Sequence, residues 1–398
     1  MQILQQVEVR NPALTSLEPS LAPIAHASEE PPKRLMVVTD AWEPQVNGVV
    51  RTLSRVLQEV RGMGVEVEVC SPADGYKTVP LPTYSEIRLA VGARKSLEER
   101  FKAFAPDAVH IATEGPLGVA MRAICKEYKY PFTTSYHTRF PEYVSARLPL
   151  PLSAGYAYMR WFHGASGRVM VATSSLREEL LERGLKNLAP WSRGVDVEQF
   201  TPALRAQGGG VYGDLPRPVF VCVGRVAVEK NLEAFLSLDL PGSKVVVGDG
   251  PQRGELESRY PGARFTGARF GEDLARHYAD ADVFVFPSLT DTFGLVILEA
   301  LACGTPVAAF DAPGPKDILP GSGAGAALPD LREACLIALE ASREAARAHA
   351  ERYSWRACAE EFVRNLTPLP KPEKKRFWRR LRLRGILRRR RRSAIAGF

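Results

Sequence analysis

The stretch Ser288-Leu289-Thr290-Asp291-Thr292-Phe293-Gly294-Leu295-Val296-Ile297-Leu298-Glu299-Ala300-Leu301-Ala302-Cys303-Gly304-Thr305-Pro306-Val307 decides how this chain folds. An apolar run, Val283-Phe284-Val285-Phe286, precedes it and has the length of a buried strand; Pro287 and Ser288 stop it. Gly294 opens a helical run that closes at Gly304, a good residue for the end of a helix. Asp291 then falls on the loop before the helix and Glu299 inside it. The first N–H groups of a helix lack partners and carry partial positive charge, which suits a phosphate or a sugar carboxylate. Ionised carboxylates only accept hydrogen bonds, so two of them bracketing such a site suit a ligand rich in hydroxyls. The same residues also fit a plain strand–helix unit with one loop acid and one solvated helix acid.

The strand–helix alternation extends outward from this stretch. Leu35–Thr39 reads as a buried parallel strand. It leads through Asp40-Ala41-Trp42-Glu43-Pro44-Gln45-Val46-Asn47-Gly48 into an amphipathic helix to Val60. Val65–Cys70, Ala108–Ala112, Phe132–Tyr136 and Val169–Ala172 read as further strands, with His137-Thr138-Arg139 at the carboxyl end of the third. Ligands of open α/β sheets bind at that end. The pattern breaks over Asn187–Gly213, and a linker is expected near 205–216. A second series starts at Val219–Val223, followed by Gly224-Arg225-Val226-Ala227-Val228-Glu229-Lys230-Asn231. Val245–Val247 leads into Gly248-Asp249-Gly250-Pro251, which lacks the third glycine of a dinucleotide fingerprint. Alternation over this length argues for doubly wound parallel sheets.

With 398 residues, 45% hydrophobic and 25% charged, the chain has material for two ordinary cores. No apolar run is long enough to cross a bilayer, and no secretory signal is expected, since the first thirty or so residues lack a basic start followed by an apolar core. Six scattered cysteines without a CxxC pair read as reduced thiols of a cytosolic protein, with no metal site expected. The net charge of +8 is unevenly placed: residues 371–398 carry thirteen Lys/Arg and one Glu, so the rest of the chain is −4 by difference.

Several of these motifs together resemble the retaining GT-B glycosyltransferases of group 1, or family 4. That family usually places two glutamates eight positions apart around Phe-Gly, ahead of Leu-Glu-Ala-Met-Ala-Cys-Gly-Thr-Pro-Val; here Asp291 stands for the first glutamate and Leu301 for the methionine. The Asp-Thr-Phe-Gly form is similar to a subgroup of α-mannosyltransferases and glycolipid-forming hexosyl- and glucuronosyltransferases. Pro44-Gln45-Val46-Asn47-Gly48-Val49 resembles the family's first phosphate-facing loop. Gly224-Arg225 with Lys230 in a Glu-Lys-Asn context, Gly248-x-Gly250-Pro251 and Tyr353-Ser354-Trp355 match further elements, so the resemblance runs over roughly 34–366.

The resemblance implies a GT-B fold: two Rossmann-like, doubly wound domains (34–205 on the acceptor side, 216–352 on the nucleotide-sugar side) facing a cleft, with a C-terminal helix over 353–370 crossing back. A flexible arm (1–33) and an Arg-rich tail (371–398) flank them. It implies hexose transfer from a nucleotide diphosphate sugar, GDP-mannose or a UDP-hexose or UDP-glucuronate, to an acceptor hydroxyl, with retention and with the donor phosphate as base. No tightly bound cofactor and no metal are implied; the nucleotide sugar is a co-substrate. In the roles so implied, Arg225 and Lys230 neutralise the diphosphate, Asp291 orients the hexose, His137 faces the donor sugar and Glu299 takes the ribose hydroxyls. Asn47, Gly48, Gly224, Gly248, Gly250, Phe293, Gly294 and Leu295 complete the donor site.

The tail suggests the acceptor. Clustered basic residues over 374–392 are attracted to an anionic leaflet, with Phe377 and Trp378 expected as interfacial anchors. The expectation is a peripheral enzyme on the inner face of the cell membrane with a glycerolipid acceptor. A soluble saccharide acceptor is the alternative within the same chemistry. A nucleic-acid-binding protein is the alternative class; the tail lacks any folded nucleic-acid motif, so that partner is not expected.

Overall fold

The protein was analysed as a computed structural model that describes residues 31–381 except 46, 82–83, 146–149 and 372. The strands of the first half are β1 (Arg34–Val38), β2 (Glu66–Cys70), β3 (Lys77–Leu81), β4 (Tyr84–Val91), β5 (Ala108–Ile111), β6 (Thr133–Ser135), β7 (Arg168–Val171) and β8 (Leu188–Pro190). Those of the second half are β9 (Val219–Val223), β10 (Ser243–Val247), β11 (Arg264–Gly267), β12 (Val283–Phe286), β13 (Val307–Phe310) and β14 (Gly325–Leu328). They form two parallel six-stranded sheets, ordered β2-β1-β5-β6-β7-β8 and β11-β10-β9-β12-β13-β14. This is the expected pair of doubly wound domains. β9 (VFVCV) and β12 (VFVF) are buried throughout, as strands covered on both faces must be.

Strand order reverses between β1 and β5 in one sheet and between β9 and β12 in the other. Such switch points open a crevice at the carboxyl ends of the strands. The loops after β1, β9 and β12 lie at those ends and carry sequence motifs; the loops after β6 and β10 beside them carry His137 and the Gly248–Pro251 turn. The antiparallel β3–β4 hairpin was not anticipated; it interrupts the alternation between β2 and the helix Arg94–Phe104.

The helix Trp355–Asn365 returns to the first domain and packs on the helix Gly48–Gly62. Phe362 is fully buried and lies 5.0 Å from Trp191, whose indole N–H donates to the Cys358 carbonyl at 3.2 Å. Burying one such ring contributes roughly 2–3 kcal/mol, enough to hold a crossing helix in place.

Two expectations need correction. Residues 205–216 do not behave as a free linker, because Arg205 donates to the carbonyls of Ala279 and Ala281 and Tyr212 is buried in the second core. The chain crosses earlier: a Cβ on Gly194 would lie 2.6 Å from Trp355, and the Val195 N–H donates to the Tyr353 carbonyl at 2.9 Å. Phe377 and Trp378 are not left for a membrane. Residues 373–381 are helical, and the two rings pack against Tyr130 and Phe101, each at 5.1 Å between centroids. Lys374 pairs with Asp107 beside them. The five arginines 388–392 and residues 1–30 of the expected N-terminal arm lie outside the described residues. No described helix is long and apolar enough to cross a membrane.

Candidate active site

Glu299 sits in the helix Leu295–Ala302 and is buried at 4% exposure. Arg51, one turn into the first-domain helix Gly48–Gly62, reaches across the cleft to its Oε1 at 2.7 Å, and the Tyr278 hydroxyl donates to Oε2 at 3.0 Å. Burial pushes the Glu299 carboxyl above the ordinary glutamate range, and Arg51 and Tyr278 pull against that rise. A carboxylate placed this way offers its remaining lone pairs to hydroxyl donors.

Further hydrogen bonds join the domains. Thr292 Oγ1 donates to the His137 carbonyl at 2.7 Å, and the Ser175 N–H donates to Asp317 at 2.9 Å. The Asp291–Phe293 loop is therefore held against the end of β6. Its approach depends on Gly314, at φ 100°, since a Cβ there would lie 2.5 Å from the Phe293 carbonyl. Beside Glu299 a cavity of about 400 Å3 opens, lined by Arg51, Ser54, Asp196, Leu295 and Trp355 among others.

His137 is buried, with Trp191 edge-on at 5.5 Å. Its Nδ1 faces Arg193 Nη2 at 3.5 Å, and its Nε2 is buried without a hydrogen-bond partner. Burial first, then the nearby Arg193 charge, hold the imidazole well below its ordinary pKa, so the ring is neutral.

Lys230 donates to both oxygens of Asp291, each at 2.8 Å. The two groups that the motifs assign separately to diphosphate and hexose thus form one pair here, 26% and 23% exposed and open to a ligand. Arg225 is exposed on the same loop. Gly224 and Gly248 are adjacent turns: a Cβ on Gly248 would lie 1.8 Å from the Gly224 carbonyl, and one on Gly250 2.4 Å from that of Val226. Their first demand on sequence is thus close packing of two backbones.

Four of the expected donor residues have local structural roles as well. Asn47 turns its side chain to cap its own helix, accepting from the Val49 and Val50 N–H groups at 3.0 Å, so those donors are taken. Gly48 beside it is exposed and lies 3.9 Å, as a virtual Cβ, from Leu295 across the cleft. Phe293 is buried in the second core near Tyr353. Gly294, at φ 86°, starts the Glu299 helix in a left-handed conformation. Arg51, Arg193, Tyr278 and Thr292 went unrecognised in the sequence. Of these only Arg51 carried a signal, lying one helical turn past Asn47. No group of His, Cys, Asp and Glu that could hold a metal occurs among the described residues.

Residues 46–199 match the family described as Glycosyltransferase Family 4, and residues 217–348 match Glycosyl transferases group 1. A GDP-mannose-dependent alpha-mannosyltransferase of Mycobacterium tuberculosis is 33% identical over 317 residues, covering 74% of this chain and 84% of that protein. An alpha-monoglucosyldiacylglycerol synthase of Streptococcus pneumoniae is 27% identical over 319 residues, covering 70% and 71%. The crystal structure of Anabaena HepE with UDP superposes at a TM-score of 0.62 and 14% identity, over 83% of this chain and 98% of that one. Two doubly wound parallel sheets facing a cleft are the GT-B fold. The chain belongs to the group 1 glycosyltransferases, family 4. It is a retaining hexosyltransferase, and a nucleotide diphosphate sugar is its co-substrate.

Proposed function

We propose that the protein transfers a hexose from GDP-mannose or a UDP-hexose or UDP-glucuronate to a hydroxyl of a membrane glycerolipid, working peripherally at the inner face of the cell membrane. The donor half of this reading rests on the pairing of Thr292 with the His137 carbonyl, which sets the donor loop against the first-domain histidine. Glu299 accepts the ribose hydroxyls. Arg225 and Lys230 meet the diphosphate, whose charge grows as the anomeric carbon becomes oxocarbenium-like; fixed cations at that point lower the barrier. Asp291, released from Lys230 as the latter turns to phosphate, accepts a hexose hydroxyl.

The lipid half is supported by an aromatic strip that starts three residues after His137. Phe140 is 41% exposed and Trp161 48%, with Tyr158 between them at 6.1 and 5.5 Å. Aromatic rings next to water suit a bilayer interface. On the tail helix Lys375, Arg376, Arg379 and Arg380 are exposed, a further attraction to anionic headgroups. The named product of the pneumococcal relative, a glucosyldiacylglycerol, agrees with such an acceptor.

The test is a screen of donor consumption with GDP-mannose, UDP-glucose, UDP-galactose and UDP-glucuronate. Each donor is offered with anionic vesicles containing diacylglycerol, with the same vesicles lacking it, and with free saccharides. Transfer dependent on the lipid alcohol is expected; equal transfer to soluble saccharides overturns the lipid acceptor.

A further inference from the structure

His137 follows β6 and Arg193 follows β8, so both lie at the carboxyl edge of the first sheet, with β7 between their strands. Arg193 is 3% exposed. Its Nη1 donates to the Trp191 and Ser192 carbonyls at 2.6 and 2.9 Å, its Nη2 faces His137 Nδ1 at 3.5 Å, and no carboxylate pairs with it among the described residues. A buried guanidinium without a counter-ion is costly to retain. Its guanidinium also lies over the Trp191 ring at 4.5 Å; the histidine is its one side-chain hydrogen-bond partner among the described residues, which points to a task there.

We propose that Arg193 is a positioning residue for His137: the guanidinium holds Nδ1 as an acceptor, so the ring proton sits on Nε2 as the single donor the imidazole can offer a bound sugar. A guanidinium has only N–H donors, so the nitrogen it addresses must present a lone pair. The neutral ring then carries its proton on the other nitrogen. That nitrogen, Nε2, is the one left buried and unpartnered when no substrate is present. Arg193, His110 on β5 and His163 on the helix Leu152–His163 are the titratable and charged groups acting on the ring, and all three oppose a second proton, as burial does. The ring is thereby kept from becoming an imidazolium that would donate from both nitrogens. The inference deepens the reading of His137 as facing the donor sugar and rests on it only for the identity of the acceptor atom.

The experiment uses the full chain with 15N-labelled histidine and long-range 1H–15N NMR, with His137→Gln to assign the resonances. Wild-type His137 is expected as the Nε2–H tautomer, without titration down to pH 5.5. In Arg193→Met a large share of the proton should move to Nδ1, and the titration midpoint should rise by about one unit or more. Turnover should fall roughly tenfold or more while the donor KM stays within about threefold. Arg193→Lys, which still only donates, should restore the tautomer and part of the turnover. An Nδ1–H tautomer in the wild type overturns the proposal, as does unchanged tautomer and titration in Arg193→Met. Should Arg193→Met fail to fold, the wild-type spectrum and the lysine variant decide. The spectra are read without substrate, so an Nε2–H ring in a protein that consumes no nucleotide sugar would sink the transferase role of His137 and leave the positioning contact standing.

Discussion

Arg51 and Glu299 stand 2.7 Å apart on opposite walls of the cleft, so the carboxylate proposed to take the ribose is held by a cation from the other domain. The ion pair serves two ends. It offsets the cost of burying Glu299, and it ties the two domains together at the bottom of the cleft.

Glu299 must be ionised to accept two hydroxyls, and burial raises its pKa, so donor affinity should weaken as pH falls toward that raised value. Removing Arg51 takes away the largest opposing influence. In Arg51→Met the carboxyl pKa should rise further, and the acidic limb of donor binding should move to higher pH by about one unit. Titration calorimetry with the nucleotide from pH 5 to 8 reads this; an unmoved limb would show that Arg51 does not act on Glu299 in solution. Glu299→Ala should lose donor affinity by about 100-fold at pH 7.5, from two hydrogen bonds to a charged group.

Lys230 and Asp291 form one pair, so each removal leaves the other exposed. Lys230→Met should lower turnover by about 10^2 to 10^3, the loss typical of one group stabilising developing charge. Asp291→Asn should cost less in donor affinity than in turnover if its partner is the hexose. Steady-state kinetics on both variants separates the effects, and a purely KM-based loss in Lys230→Met would count against a role in the transition state.

His110 is wholly buried, between Thr133 Oγ1 at 2.9 Å and Ser135 Oγ at 2.8 Å. Burial holds its pKa at about 3, against 6.5 for a free imidazole. The unfolded chain therefore binds a proton below pH 6.5 that the folded chain refuses, and stability is lost as pH falls through that window. From pH 7 to pH 5 this one group should cost about 2 kcal/mol. Urea unfolding of wild type and His110→Gln at both pH values measures it, and parallel slopes would mean that His110 is not the group responsible.

Phe377 and Trp378 pack against Phe101 and Tyr130, and Lys374 pairs with Asp107. Truncation after Leu369 should therefore destabilise the first domain by roughly 2–4 kcal/mol, a little under the ~3–5 kcal/mol of a fully buried aromatic because both rings are only partly buried. Truncation after Leu381 should leave thermal stability unchanged. If both truncations melt together, the packing of these rings contributes nothing. Vesicle co-sedimentation of the Leu381 truncation then isolates the remaining arginines: reduced binding to anionic vesicles is expected, and equal binding would place the membrane contact elsewhere, on the Phe140–Trp161 strip.

The sequence by itself was sufficient for the two series of parallel strands, for the loops at their carboxyl ends and for the placement of Asp291 and Glu299 before and within one helix. Those features are local. Apolar runs of strand length, glycines where turns must tighten and capping residues at helix starts act over a few neighbours, and a one-dimensional reading captures them. What only the tertiary structure decided are pairings between distant residues: Arg51 with Glu299, Thr292 with His137, Arg193 with His137, and Phe377 and Trp378 with the first-domain core. The tail shows why. In sequence Phe377 and Trp378 sit among lysines and arginines and look suited to a water–lipid boundary, yet the aromatic surface of Phe101, Tyr128 and Tyr130 stands within reach and they pack on it, partly buried. Likewise Arg193 belongs to a stretch, 187–213, where the strand–helix pattern breaks, and nothing local shows that β8 lies beyond β7 from β6 in the same sheet. Local chemistry settles which elements form, and the order of strands in the sheet settles which side chains meet.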